Sequence, residues 1–148
     1  MNKVLIIDDE DQLRGLLSRI IGLEGYEVFQ ADSCKNGLKQ LALHDPDVVL
    51  CDVRLPDGNG VELIAEIKRV KPLVEVIMLT AHGNIPDGVQ AIKNGAFDYL
   101  TKGDDNNRII PLISRAMDQV AKAKQESQAE ILVDREYSFD TILGSSMA

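Results

Sequence analysis

The sequence is poor in cysteine and in positive charge, and it has no long apolar run. Its two cysteines, Cys34 and Cys51, match no metal-ligand spacing, so we expect both to be small buried side chains without a chemical role. Sixteen Lys and Arg residues stand against 24 Asp and Glu residues, a formal net charge of −8. This balance argues against a broad nucleic-acid surface, because phosphate contacts need clustered Lys and Arg.

The N-terminus lacks a basic segment followed by a long apolar stretch, and no apolar run is long enough to span a bilayer. We therefore expect a cytoplasmic protein without membrane contact. The chain has 148 residues, of which 45% are hydrophobic and 27% charged, and it contains no proline-rich tract. Such a composition is typical of a globular protein with one domain and an appendage.

Short apolar runs and amphipathic helical patterns alternate along the chain. The apolar runs are typical of strands buried on both faces, and they cover residues 4–7, 28–31, 48–52, 74–79 and 98–101. Helical patterns follow them, at about 13–21, 33–43, 61–70, 85–96 and from 110 onwards. Five strands alternating with five helices predict an α/β doubly wound fold, with a five-stranded parallel sheet covered on both sides.

Two of the predicted helices contain residues that disfavour a helix. The apolar stripe of the fourth helix consists of Ile85, Val89, Ile92 and Ala96. Gly88 lies inside it and costs about 1 kcal/mol relative to alanine, so we expect a mobile helix. A proline inside the last helix would cost about 3 kcal/mol. We therefore predict that this helix begins near Ile110, with Pro111 in its first turn, after a long loop over 103–109.

Polar side chains stand at or just beyond the carboxyl ends of four predicted strands. They are Asp8 and Asp9 after the first strand, Asp52 at the end of the third, Thr80 after the fourth and Lys102 after the fifth. Ligands of parallel sheets bind beyond these strand ends, near the topological switch point, so we expect the side chains to converge. Three crowded carboxylates repel one another and suit Mg²⁺, which binds carboxylates, water and phosphate oxygens.

Four segments of the sequence resemble the receiver domain of two-component response regulators. They are LIIDDE at 5–10, DVRLPDGNG at 52–60, TAHG at 80–83 and GAFDYLTK at 95–102. The resemblance covers residues 1–120 and implies a flavodoxin-like (CheY-like) fold. It also implies a phosphorylation-dependent signalling switch, in which the phosphohistidine of a sensor histidine kinase passes its phosphoryl group to Asp52.

The resemblance implies a role for each acid of the site. Asp52 is the nucleophile, and its attack on phosphorus requires that the charges of the carboxylate and the phosphoryl oxygens be neutralised together. Mg²⁺ would do this. Asp9 is implied as a direct ligand, Asp8 as a ligand directly or through water, and Arg54 as a ligand through its backbone carbonyl.

Three further residues are implied to respond to the phosphoryl group. Lys102 pairs its ammonium with a phosphoryl oxygen, the Thr80 hydroxyl turns toward the group, and Tyr99 turns inward behind it. Receivers usually have proline after this lysine, on a cis peptide, whereas here Gly103 follows it. A non-proline cis bond costs about 2.5 to 4 kcal/mol, so we expect a trans or mobile loop that holds Lys102 less firmly.

Each of these residues also has a purely structural interpretation. Asp8 and Asp9 could simply begin the first helix, where acids suit the N-terminal dipole, and we interpret Glu10 and Asp11 in that way. Thr80 and Lys102 would be an ordinary strand-end hydroxyl and a solvated lysine, and Tyr99 could serve packing alone. The functional interpretation is favoured because four strand ends carry reactive polar groups together.

Beyond the receiver we expect a helical linker over 121–138 that extends the last helix. A narrow apolar seam on this helix would form a homodimer. The alternative is a solvated linker helix that frays. The segment FDTILGSS at 139–146 resembles the opening of the ATPase domain in NtrC-like activators of the nitrogen-class (sigma-N) alternative sigma factor. We expect residues 139–148 to begin a truncated ATPase domain. No G-x-x-x-x-G-K-[ST] phosphate loop occurs, so we expect a regulatory fragment that neither hydrolyses ATP nor contacts DNA.

Two other functions stay open at this point. DED at 9–11 superficially resembles the D-x-D motif of haloacid-dehalogenase-like phosphohydrolases, although Leu13 stands where that motif has Thr or Val. In such an enzyme the phosphorylated residue would be Asp9 and not Asp52. A receiver fold could also act as a phosphorylation-independent binding module, and Asp52→Asn would then leave its oligomeric state and partner affinity unchanged.

Overall fold

The structure is a computed structural model that describes residues 2–80, 85–102 and 107–126 of the chain. Strands and helices alternate along these residues. Their bounds are β1 (Lys3–Ile7), α1 (Asp11–Leu23), β2 (Glu27–Ala31), α2 (Cys34–His44), β3 (Val48–Asp52), β4 (Arg54–Leu55), β5 (Gly58–Asn59), α3 (Gly60–Val70), β6 (Glu75–Thr80), α4 (Ile85–Lys93), β7 (Asp98–Thr101) and α5 (107–126).

One parallel sheet organises the molecule, with the strand order β2-β1-β3-β6-β7. The strand order reverses between β1 and β3, which is the topological switch point of a doubly wound sheet. The predicted flavodoxin-like architecture, with five parallel strands and five helices, is therefore confirmed. A short antiparallel hairpin of β4 and β5, which follows β3 directly, was not predicted.

Two apolar clusters fill the space on the two faces of the sheet. Leu41 of α2, Ile64 of α3 and Ala91 of α4 belong to one cluster, while Leu17 of α1 and Ile113 of α5 belong to the other. The central strands β1 and β3 contribute to both clusters, because successive side chains of a strand point to opposite faces. This double cover explains why their sequences are almost wholly apolar until the carboxyl end.

The face of α4 that the apolar pattern predicted to be buried is not the face that packs against the core. Val89 and Ile92 are 44% and 46% exposed, whereas Ala91, outside that stripe, is fully buried. α4 packs against α3, β6 and β7, and the small Ala91 side chain lies in the core on that side. Ala96 is buried as expected but lies beyond the end of α4. The expected mobility of α4 stays a prediction.

The predicted start of α5 near Ile110 is also wrong, since residues 107–109 are already helical. Pro111 is therefore beyond the first turn, where it removes a backbone hydrogen bond. Its side chain is exposed, while the neighbouring Ile109, Leu112 and Ile113 are buried against the sheet. Burial of these three side chains offsets the cost of the proline.

Among the described residues, no helix has both the length and the apolar character that crossing a bilayer requires.

Candidate functional site

The register of the central strands brings the predicted acids together. Ile7 at the end of β1 pairs with Cys51 of β3, so the residues that follow them, Asp8 and Asp52, are neighbours. Asp9 contributes a third carboxylate, and one oxygen of each of the three acids lies within 4.8 Å of the others. Asp8 and Asp52 are buried and Asp9 is exposed, so the cluster is open to solvent on one side.

Lys102 is the cation of this cluster. Its Nζ lies 2.8 Å from Asp52 Oδ2, 3.1 Å from Glu10 Oε1 and 3.2 Å from Asp8 Oδ2. The backbone amide of Lys102 donates to the carbonyl of Thr80 at 2.8 Å, which extends the pairing of β7 with β6 by one residue. Strand pairing thus directs the lysine to the carboxyl end of β3, although the two residues are far apart in sequence.

Burial and charge act against each other on the two most enclosed groups. The pKa of Asp8 is raised to about 6, chiefly by burial and in addition by the negative charge of Asp52. The backbone amide of Glu10 and the ammonium of Lys102 lower this pKa but do not cancel the effect of burial. Burial by itself would lower the pKa of Lys102. Its hydrogen bond to Asp52 and the charges of Asp52 and Asp8 outweigh that effect and raise this pKa above its ordinary value.

One oxygen of the cluster has the properties of a metal ligand. Asp8 Oδ1 accepts a hydrogen bond from the backbone amide of Glu10 at 2.9 Å. Asp8 Oδ2 is buried and accepts no hydrogen bond from the described residues, although Lys102 Nζ lies at ion-pair distance. A buried carboxylate oxygen that accepts no hydrogen bond needs a cation beside it, which in this structure is the Lys102 ammonium and which a metal ion could equally be. With Asp9 and Asp52 this oxygen forms a set of hard oxygen donors that fits Mg²⁺.

The segment that follows Asp52 contacts both the carboxylate and the backbone of Asp52. The amide of Arg54 donates to Asp52 Oδ1 at 3.3 Å, and the amide of Gly60 donates to the carbonyl of Val53 at 2.6 Å. A Cβ atom on Gly60 would lie only 1.8 Å from the carbonyl oxygen of Asp52. Glycine is therefore required at this crossing of two backbone segments.

The other predicted residues are less directly involved in the cluster. Thr80 is buried, and its hydroxyl donates to the carbonyl of Leu100 at 3.3 Å. Tyr99 is half-buried against the apolar cluster of α2, α3 and α4. Their roles in switching stay predictions. Gly103 lies outside the described residues, so the loop expected there is not described either.

The burial expected of both cysteines is confirmed for Cys51 and only in part for Cys34. Cys51 is buried and Cys34 is half-buried, and neither forms a disulfide. Burial raises the pKa of Cys51, and burial together with the nearby Asp57 raises the pKa of Cys34 to about 11. Both thiols are therefore protonated at neutral pH and have low reactivity.

Sequence reasoning missed two residues that support the cluster. Glu10 was interpreted as a helix-start acid, but its side chain makes no cap and pairs with Lys102 instead. Arg14 donates to the backbone carbonyl of Asp8, to Asp11 and to Gln30 of β2, which ties the segment after β1 to the sheet. The spacing of Asp11 and Arg14 could have predicted their helical ion pair. No local pattern indicated the other contacts.

The raised pKa of Asp8 predicts how pH affects magnesium binding. Because this pKa lies at about 6, above its ordinary 3.8, the folded protein binds the Asp8 proton more tightly than the unfolded chain does. The Asp8 contribution therefore lowers the free energy of unfolding as the pH rises from about 4 to about 6. Mg²⁺ must displace that proton, so we expect its affinity to fall up to about tenfold per pH unit below about 6.

Magnesium titrations followed by NMR between about pH 5 and pH 7 would measure this dependence. Denaturation of the metal-free protein provides the control, since Asp8→Asn should remove the Asp8 part of the pH dependence of unfolding. A magnesium affinity that stays constant over this range would contradict the prediction.

Comparison with known proteins identifies the family. The family model described as response regulator receiver domain matches residues 4–114. The chain therefore belongs to the receiver domains of response regulators, which are regulatory domains. Its relatives include transcriptional regulators of the NtrC type, so the haloacid-dehalogenase alternative is not favoured.

Three relatives illustrate the similarity. Transcriptional regulatory protein GlrR of Escherichia coli (strain K12) is 40% identical over 132 residues, which cover 89% of this chain and 30% of that protein. The crystal structure of NtrX from Brucella abortus matches with a TM-score of 0.81 and 31% identity, over 87% of this chain and 30% of that one. The solution structure of the beryllofluoride-activated NtrC4 receiver domain dimer matches with a TM-score of 0.76 and 35% identity, over 81% of this chain and 99% of that one. The chain thus spans about 30% of the length of the curated relatives.

Proposed function

We propose that this chain is a phosphorylation-dependent switch that accepts a phosphoryl group on Asp52 from a sensor histidine kinase. The observation that carries the proposal is the grouping of Asp8, Asp9 and Asp52 at the carboxyl edge of the sheet, with Lys102 paired to Asp8 and Asp52. Asp52 is 6% exposed, whereas Asp9 in the same cluster is exposed, and we therefore take the Asp9 side as the route to the Asp52 carboxylate. A phosphoryl donor would approach from that side.

Asp8, Asp9 and Asp52, together with the backbone carbonyl of Arg54, would hold Mg²⁺. When bound, this ion neutralises charge on the nucleophile and on the phosphoryl oxygens. The Asp52 carboxylate attacks phosphorus, forming an aspartyl O–P bond while the P–N bond of the phosphohistidine breaks and the electron pair leaves with the imidazole.

The cluster must rearrange when the phosphoryl group arrives. Lys102 would release Asp52 Oδ2, 2.8 Å away in this structure, and pair with a phosphoryl oxygen. Thr80 would exchange its hydrogen bond to the carbonyl of Leu100 for one to the phosphoryl group, and Tyr99 would turn inward. These movements would change the surface around α4, β6, β7 and α5. The only chemistry of the domain would be its own phosphorylation and dephosphorylation.

The switch would act on parts of a longer protein. We propose a receiver over 1–120, a helical linker over 121–138 and the start of an ATPase domain over 139–148, as in an NtrC-like sigma-N activator. The support is that α5 continues to residue 126 and that the curated relatives are about three times longer than the matched region. Residues 127–148 lie outside the described residues. The family relationship is also the reason to propose that the chain acts in the cytoplasm and does not itself contact DNA or membranes.

Dimerisation is the proposed output of the receiver. The last helix and the linker would pair two copies, and phosphorylation would alter that pairing. The support is the described length of α5 and the relative whose solved structure is a receiver domain dimer.

Acetyl phosphate with Mg²⁺ should phosphorylate the wild-type chain, and peptide mapping of the trapped product should locate the group on Asp52. Asp52→Asn should give no product, because an amide cannot replace the carboxylate nucleophile. Glu24→Gln, which removes an exposed acid just after α1, away from the proposed dimer helix, should react like the wild type. Sedimentation velocity on the same samples should show a changed dimer fraction after phosphorylation only where Asp52 is present.

The outcomes separate the alternatives. Modification of Asp9 would indicate the phosphohydrolase, and an unmodified wild-type chain would contradict the proposed function. A sedimentation profile that does not change after phosphorylation would reject the dimer part alone.

A further inference from the structure

The hairpin that follows Asp52 is attached to a helix far from it in sequence. The turn between β4 and β5 contains Asp57, whose Oδ1 accepts the backbone amide of Cys34 at 2.8 Å and whose Oδ2 accepts that of Lys35 at 3.0 Å. Cys34 and Lys35 are the first two residues of α2. One carboxylate therefore binds two of the amides that a helix leaves without an intrahelical partner at its start.

This contact completes a cap that α2 begins by itself. Ser33, the N-cap residue, accepts the amide of Asn36 at 3.1 Å through its hydroxyl. Asp57 supplies the acceptors for the two amides between them, and those hydrogen bonds lower the pKa of Asp57 below its ordinary value. The hairpin also lies directly against α2, since a Cβ on Gly58 would be 3.2 Å from Cys34 Sγ.

The base of the same hairpin belongs to the phosphoacceptor site. Arg54 of β4 donates its amide to Asp52 Oδ1, and its carbonyl is a proposed magnesium ligand. Gly60, which follows β5, is bonded through its amide to Val53. The sheet thus fixes the base of the hairpin while Asp57 fixes its tip. The position of Arg54 between them depends on both attachments.

We propose that Asp57 is a positioning residue of the phosphoacceptor site, which acts by fastening the β4–β5 hairpin to the N-terminus of α2 so that Arg54 stays in place beside Asp52 and the metal. The inference rests on the proposed function, because it concerns the same magnesium site. Asp57 itself touches neither the metal nor the phosphoryl group. Its effect passes through the backbone of the hairpin.

Ser33 offers a matched control, because its hydroxyl caps the same helix through a hydrogen bond from Asn36, within α2 itself. Ser33→Ala should lower the urea concentration at the midpoint of unfolding, because the loss of an N-cap destabilises a helix. It should leave the magnesium dissociation constant within about twofold of the wild type. Asp57→Ala should weaken magnesium binding about tenfold, as is typical when a partner that orients a ligand is removed. Hydrogen exchange of the Cys34 and Lys35 amides should also rise in Asp57→Ala.

The experiment titrates each 148-residue chain with MgCl₂ by NMR and measures the rate of acetyl phosphate labelling at saturating Mg²⁺. Asp57→Asn is the second variant, for use if Asp57→Ala folds poorly, because it retains the side-chain volume and one acceptor oxygen. Its magnesium affinity should lie between the affinities of Ser33→Ala and Asp57→Ala. The inference would be overturned if Asp57→Ala bound Mg²⁺ as tightly as Ser33→Ala does. If Asp57→Ala does not fold, the same comparison is made with Asp57→Asn. Either result would leave the proposed function intact. A wild-type chain that neither binds Mg²⁺ nor is labelled on Asp52 would overturn both.

Discussion

Gly60→Ala is expected to lower the free energy of unfolding by about 3 kcal/mol or more and to prevent phosphorylation of Asp52. The added Cβ would stand 1.8 Å from the carbonyl oxygen and 2.9 Å from the carbonyl carbon of Asp52. These are backbone atoms, so no side-chain rotation can relieve the overlap. Either the start of α3 or the end of β3 must move, and Asp52 moves with the latter.

Urea denaturation and acetyl phosphate labelling would measure the two effects. Gly15→Ala in α1 is the matched control, because a Cβ there meets no atom within 4 Å. Alanine in a helix interior should raise stability by about 0.5 to 1 kcal/mol and leave labelling unchanged. If Gly60→Ala unfolds and is labelled like the wild type, the close backbone approach does not exist in solution.

Lys102→Met is expected to destabilise the metal-free protein and to strengthen its binding of Mg²⁺. Lys102 is the nearest described cation to two buried carboxylates, those of Asp8 and Asp52. Removing one partner of a buried ion pair costs about 3 kcal/mol, because the remaining charges lose their compensation. The lysine and Mg²⁺ compete for the same oxygens, so we expect magnesium affinity to rise about tenfold, as for an electrostatic change of about 1.4 kcal/mol.

Thermal denaturation with and without Mg²⁺ would test this expectation at about pH 8, where uptake of a proton by Asp8 cannot replace the lost charge. The melting temperature should rise more on addition of Mg²⁺ in Lys102→Met than in the wild type. Phosphorylation should nevertheless be slower, since no ammonium meets the phosphoryl oxygens.

Lys124→Met provides the control for Lys102→Met. Lys124 pairs with Asp47 at 2.9 Å, between α5 and the residue before β3, and its side chain is half-exposed. Because the lysine end of this pair is solvated, the pair contributes about 1 kcal/mol or less, and its loss should not affect magnesium binding. If both lysine variants behave alike, the carboxylate cluster has no special dependence on Lys102.

The sequence by itself determined the elements of the fold and the membership of the main cluster. Strands buried on both faces require unbroken apolar runs and surface helices require a stripe, so the two periods separate the elements. The end of each apolar run then located Asp8, Asp52, Thr80 and Lys102 at strand ends. Parallel strands present those ends at one edge, which is why residues distant in sequence could be grouped from the pattern alone.

Only the tertiary structure decided which groups support that cluster and which faces are covered. The Asp57 cap on α2, the pairing of Glu10 with Lys102 and the contact of Gly60 with the Asp52 backbone all join segments with no shared local pattern. The orientation of α4 and the early start of α5 depended on packing against the sheet, which outweighs local helix preferences. Periodicity reports the kind of element at each position, whereas these contacts depend on distances between elements, which exist only once the chain has folded.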